Sequence, residues 1–129
     1  MTQTILAIDY GLARVGFAYG HKAAGVVSEK GTWPNNDQIL EIIQEFILEE
    51  SISHVIVGLP RGLDGQETEQ TRISKEFAES LHSMEVTVEL RDEAGTSELA
   101  KERLGKNPPK EAIDAEAAAI LLEEYLHEQ

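Results

Sequence analysis

The chain contains no cysteine. Disulfide staples and thiolate metal sites are therefore excluded. Aromatic residues make up 5%, with one Trp, three Tyr and three Phe. That is too few for a platform on which bases stack. The four histidines, His21, His54, His82 and His127, lie far apart without paired spacing and form no ligand set. No Ser or Cys nucleophile elbow and no P-loop is present. No apolar run approaches the ~18 residues of a membrane span. No N-terminal stretch joins a basic region to a long apolar core. The expectation is a cytoplasmic protein with no membrane partner. Positive charge is scarce too. Lys plus Arg is 11 against 24 Asp plus Glu, a formal net charge of −13. Such a chain repels nucleic acid at long range, so a polynucleotide partner would need a local basic patch or metal ions.

What is there reads as one domain over residues 1–129, without repeats or a Pro/Ser-rich linker. A chain of this length buries roughly two-thirds of its unfolded surface. Ile5–Ile8 is continuously apolar, the pattern of a strand covered on both faces. Val15, Phe17 and Tyr19 alternate with Gly16 and Ala18 as a second strand, and Val26–Thr32 forms a third. Asn35, Asn36 and Asp37 offer helix N-caps. A helix follows, with Ile39, Leu40, Ile42, Ile43, Phe46 and Ile47 at helical spacing and Glu41, Glu45, Glu49 and Glu50 on the other face. His54–Gly58 is a short buried strand. A helix from about Thr68 to Met84 buries Ile73, Phe77 and Leu81. Val86–Leu90 is a fifth strand. Helices from about Ser97 to Leu104 and Lys110 to His127 close the chain. The order β-β-β-α-β-α-β-α-α predicts an α/β fold, a five-stranded mixed sheet with helices on both faces. Strands one, four and five would run parallel, and ligands gather at the carboxyl ends of parallel strands.

Three acidic positions fall at that end. Asp9 follows the first strand, Asp92–Glu93 follows the fifth, and Asp114 opens the last helix in IDAEAAAILL. The alanines at 115, 117, 118 and 119 let that helix lie close to the sheet. Each acid alone has an ordinary explanation as a turn, a strand end or a partner of the helix dipole. Together they compose a hard oxygen site for Mg²⁺ or Mn²⁺, the ions that assist phosphodiester cleavage. The loop GLPRGLDGQETEQT, residues 58–71, is longer than a plain βα connection. Arg61 and Arg72 flank it, Arg14 lies in the first loop, and Lys106 and Lys110 precede Asp114. These five are the candidate phosphate contacts, with surface salt bridging as the competing role for each.

IDYGLARVGFA, VIVGLPRGLDG, DEAGTS and DAEAAAILLEEYL stand in that order and span nearly the whole chain. The sequence resembles the YqgF/RuvX family of Holliday-junction-resolvase-like proteins and pre-16S rRNA nucleases. The resemblance implies an RNase H-like fold and a carboxylate-bound divalent metal. It implies endonucleolytic cleavage of nucleic acid, with 5′-end maturation of 16S rRNA in a ribosomal precursor particle as the task. It places catalytic and metal-binding roles on Asp9, Glu93 and Asp114, with Asp92 as the alternative at the middle position. Two departures stand out. Ala13 replaces a common Lys, and Ala94–Gly95 replaces the usual Arg-x after the Asp–Glu pair, so two basic groups are missing.

Other readings remain. A non-catalytic ribosome-assembly or protein-binding module would suit the acidity and the lost basic groups. Cleavage of branched DNA at a Holliday junction would need a dimer spanning two symmetric strands, whereas the expectation here is a monomer or weak dimer. IDYGLARVGFA also resembles the first phosphate loop of the actin/sugar-kinase superfamily, but 129 residues leave no room for a second lobe.

Overall fold

Ile5–Ile8 is apolar throughout because both of its sides are covered. In a computed structural model that describes residues 3–60, 64–93 and 96–128 (backbone alone at 96–98), this segment lies in β1 (Thr4–Tyr10). The strand sits centrally in a five-stranded sheet. β2 (Arg14–His21) and β3 (Val26–Pro34) follow it as an antiparallel meander, and β4 (Ile52–Leu59) and β5 (Thr87–Asp92) pair in parallel on its other side. The order across the sheet is β3-β2-β1-β4-β5. The mixed sheet and its crossovers match the sequence expectation.

Side-chain alternation divides the core into two layers. Leu6, Ile8, Val15, Phe17, Val55 and Val57 face α1 (Ile39–Glu49) and α2 (Glu69–Ser80). Phe17, Trp33 and Phe46 meet edge to face there, with ring centroids 5.0–5.6 Å apart, and tie the meander to α1. Ile5, Ala7 and Ile56 face α4 (Lys110–His127) through Leu121, Leu122 and Tyr125, while Ala18 meets Ala118 and Ala119. α3 (Thr96–Leu104) packs on α4 through Ala100, Ala117 and Ile120.

Several boundaries differ from the sequence expectation. β1 continues through Asp9 and Tyr10, because the antiparallel ladder with β2 extends to the Tyr10–Val15 pair. β5 runs to Asp92, paired with Leu59. α1 begins without a side-chain cap. Asn36 accepts instead from Gln38 N–H, in the turn before the helix. α2 stops at Ser80 and a 3₁₀ turn carries the chain to Met84. Its start is a reciprocal cap between Thr68 and Thr71, and the buried Thr71 hydroxyl also donates to the Pro60 carbonyl.

Candidate active site

The last residues of β1, β4 and β5 and the second turn of α4 converge on the face that α4 covers. Asp9 lies one residue past the Ile8–Val57 pair and opposite Gly16 of β2. Its odd position in the strand turns it toward α4, with Ile5 and Ala7. Gly16 is what lets α4 approach. A Cβ there would lie 2.2 Å from the Asp114 carbonyl oxygen. Asp114 is thus seated directly against β2, in the second helical turn rather than the first. Thr32 Oγ1 donates to the Glu111 carbonyl at 2.6 Å and fixes the turn before it.

Of the Asp92–Glu93 pair, Glu93 is the one whose side chain meets Asp9. Arg91 lies on the α4 side, over the Tyr125 ring, so alternation sends Asp92 to the opposite face, where it is exposed. Glu93 follows the strand, its N–H donating to the Leu59 carbonyl at 3.1 Å. Its carboxyl folds back over Gly58, where a Cβ would lie 2.3 Å from Oε2. Glu93 hydrogen-bonds Asp9 side chain to side chain.

Burial and crowding of like charges put protons into this group. Burial pushes Glu93 up to about 9, and the charges of Asp9 and Asp114 add to the shift. Burial also raises Asp9, to about 6, against the opposing effect of the hydrogen bond from Glu93. The pair therefore holds on to protons to higher pH than isolated carboxyls do, through burial and mutual repulsion. Asp114 is held differently, accepting from Arg14 Nε at 2.8 Å.

An all-carboxylate set that concentrates negative charge fits a hard divalent cation, which would take the place of the shared proton. Among the described residues, no group of three or more Asp, Glu or His side chains is arranged to hold such an ion. Glu93 is turned to Asp9 and Asp114 to Arg14.

The other expected phosphate contacts are spread out. Arg72 is exposed and paired with Glu69 and Glu76 of its own helix. Lys106 lies in the loop before α4, and Lys110 is the first residue of that helix, both exposed. Arg61 lies outside the described residues, as do Ala94 and Gly95. The sequence reading placed the acids but not the clearance that Gly16 and Gly58 provide. The available signal was a glycine in the strand on either side of Asp9.

A family model described as "RuvX: Holliday junction resolvase" matches residues 3–128. The chain belongs to the RuvX family. Among its relatives is a protein of Sulfurihydrogenibium sp. (strain YO3AOP1), 34% identical over 95% of this chain and 88% of that one. Another, from Thermus thermophilus, is 35% identical over 93% of this chain and 94% of the relative. Both carry the name "Putative pre-16S rRNA nuclease". Among solved structures, T. thermophilus RuvC in complex with a Holliday junction substrate matches with a TM-score of 0.61 at 15% identity. That match covers 98% of this chain and 94% of RuvC. Free T. thermophilus RuvC gives 0.57 at 13% identity. These likenesses establish the RNase H-like fold for this member of the RuvX family. No helix among the described residues is long and apolar enough to cross a membrane.

Proposed function

We propose that this protein is a metal-dependent endonuclease that cleaves structured RNA, with the 5′ end of a 16S rRNA precursor as its substrate. The observation that carries the reading is the convergence of Asp9, Glu93 and Asp114 at the carboxyl ends of the parallel strands. The names of the RuvX relatives support the choice of RNA.

In this reading Asp9, Glu93 and Asp114 hold Mg²⁺ or Mn²⁺, which when bound supplies activation of water and neutralises charge on the phosphate oxygens. Asp9, fixed in the central strand, sets the position of the scissile phosphate. Glu93 gives up its proton as the site is loaded and becomes an acceptor. Arg14 orients a phosphate oxygen through its planar donor fork. Lys106 and Lys110, before and at the start of α4, contact flanking phosphates. Apolar walls from β1, β4 and α4 keep bulk water from the inner side of the acids.

The test is cleavage of pre-16S rRNA with Mg²⁺ or Mn²⁺, beside a matched branched DNA, by wild type and Asp9→Asn. RNA cleavage lost in the variant supports the mechanism. Cleavage unaltered by the substitution would sink it. No cleavage by wild type with either ion would favour the non-catalytic assembly module.

A further inference from the structure

Arg14 and Asp114 form an ion pair whose backbones are both fixed. On the Arg14 side, Gly11 N–H donates to the Arg14 carbonyl and Asn35 N–H to the Ala13 carbonyl. Asn35 Nδ2 donates to the Gly11 carbonyl at 2.8 Å. On the Asp114 side, the helical turn rests against Gly16, and Thr32 anchors the turn before it. Both backbones are thus tied to neighbouring elements, while the side chains meet at their ends. The pair is partly solvated, with side-chain exposures of 32% and 20%, so its exchange with other partners is inexpensive.

Each member has a second partner of the same chemical kind within the proposed reaction. A guanidinium accommodates a phosphate as well as a carboxylate. A carboxylate binds a divalent cation as well as a guanidinium. With the pair formed, no three acids are arranged to hold an ion among the described residues. A bound cation would also be repelled by a guanidinium kept on one of its own ligands.

We propose that Arg14 couples substrate to metal: it holds Asp114 back until a backbone phosphate takes the guanidinium, and Asp114 then completes the cation's ligand set. The inference rests on the metal-nuclease reading. Arg14 acts here as a positioning residue, working through Asp114. Linkage makes the effect reciprocal, so a bound cation also strengthens the grip on phosphate. The freed arginine and the loaded metal site thus favour one another, and a polynucleotide favours both.

Calorimetric titration of Mn²⁺ tests this in wild type, Arg14→Gln and Arg14→Lys, each with and without a short phosphorothioate RNA. The heat of Mn²⁺ binding to RNA alone is subtracted. RNA is expected to raise the wild-type Mn²⁺ affinity about tenfold. Without RNA, Arg14→Gln should bind Mn²⁺ about tenfold more tightly than wild type and gain little from RNA. Arg14→Lys, which keeps the charge but not the fork, should fall between. Arg14→Gln should nevertheless cleave more slowly at saturating Mn²⁺, so affinity and turnover move in opposite directions. Equal or weaker Mn²⁺ binding by Arg14→Gln overturns the proposal and makes Arg14 an orienting partner of a ligated carboxylate. An RNA effect as large in Arg14→Gln as in wild type overturns it too. Mn²⁺ binding absent from every sample removes the metal reading along with it, whereas binding with affinities blind to Arg14 removes the coupling alone.

Discussion

Gly58 and Glu93 occupy one space. A Cβ on Gly58 would stand 2.3 Å from Glu93 Oε2, while Gly16 makes the corresponding room for the Asp114 backbone. The two glycines predict different failures. In Gly58→Ala the obstructed atom ends a flexible side chain, so the fold survives and Glu93 moves. Cleavage should fall about a hundredfold with little change in melting temperature. In Gly16→Ala the obstructed atoms are backbone, so α4 must lift. Stability should drop by about 3 kcal/mol in urea titration. Equal stability losses in the two variants would contradict this division.

Glu93 predicts a pH dependence of the metal-free protein. Its carboxyl is raised from 4.5 to about 9 and that of Asp9 from 3.8 to about 6. Between those limits the folded state keeps protons that the unfolded chain has released. Their contribution is full below about pH 4 and is lost as pH rises toward the folded values. Melting temperature in chelator should therefore decline from acid toward pH 9. Glu93→Gln removes most of that decline and melts about 5 °C higher than wild type at pH 8. The same variant should lose cleavage. A wild-type melting curve flat from pH 5 to 9 would refute the assignment.

Loading the site should expel the shared proton. Mn²⁺ titrations at pH 7 in two buffers of different ionisation enthalpy should differ by about one proton per ion bound. Asp9→Asn, which disrupts the shared-proton pair, should reduce that difference. Identical apparent enthalpies in both buffers would show that the carboxyls are already ionised.

Salt should weaken RNA binding only gently. Arg72, Lys75, Arg91 and Arg103 each pair with glutamates of the same chain. Arg14, Lys106 and Lys110 are the proposed contacts, so about three phosphates are neutralised. The logarithm of affinity should then fall with the logarithm of salt at a slope of about −2. A slope several times steeper would require a basic surface other than these three residues.

The aromatic trio predicts stability without chemistry. Phe46→Ala should cost about 3 kcal/mol in urea, because a buried ring between Phe17 and Trp33 is lost. Mn²⁺ affinity should be preserved while the protein remains folded, since α1 covers the face of the sheet opposite the acids.

The strand order and the acids were legible because both rest on short periodicities. Alternation in residues 15–19 and the apolar run at Ile5–Ile8 define strands, and topology then carries Asp9 and the Asp92–Glu93 pair to one end. Choosing within that pair needed the register of β5, which the Gly58–Arg91 and Leu59–Asp92 pairs set across strands. Sequence alone left both open. The Arg14–Asp114 bond spans 100 residues and leaves no local pattern. Arg14 read as a phosphate contact because its competitor for that role is brought in by α4. None of the three offered N-caps, Asn35, Asn36 and Asp37, caps α1, for a local reason seen at Asn36. Its side chain satisfies the turn before the helix, where three cap-forming residues in a row compete.

α4 begins beside the acids, and its last turns lie over the other end of the sheet. There Tyr125 packs on His54 with ring centroids 5.5 Å apart, while Glu128 pairs with Arg91, near the carboxyl end of β5. From Asp114 to Tyr125 the helix is about 16 Å long and acts as one rod. Its axial position is therefore held at both ends, by Gly16 and Thr32 beside the acids and by the Tyr125 contacts beyond them. A change at Tyr125 is therefore felt at Asp114, eleven residues away along the same rod.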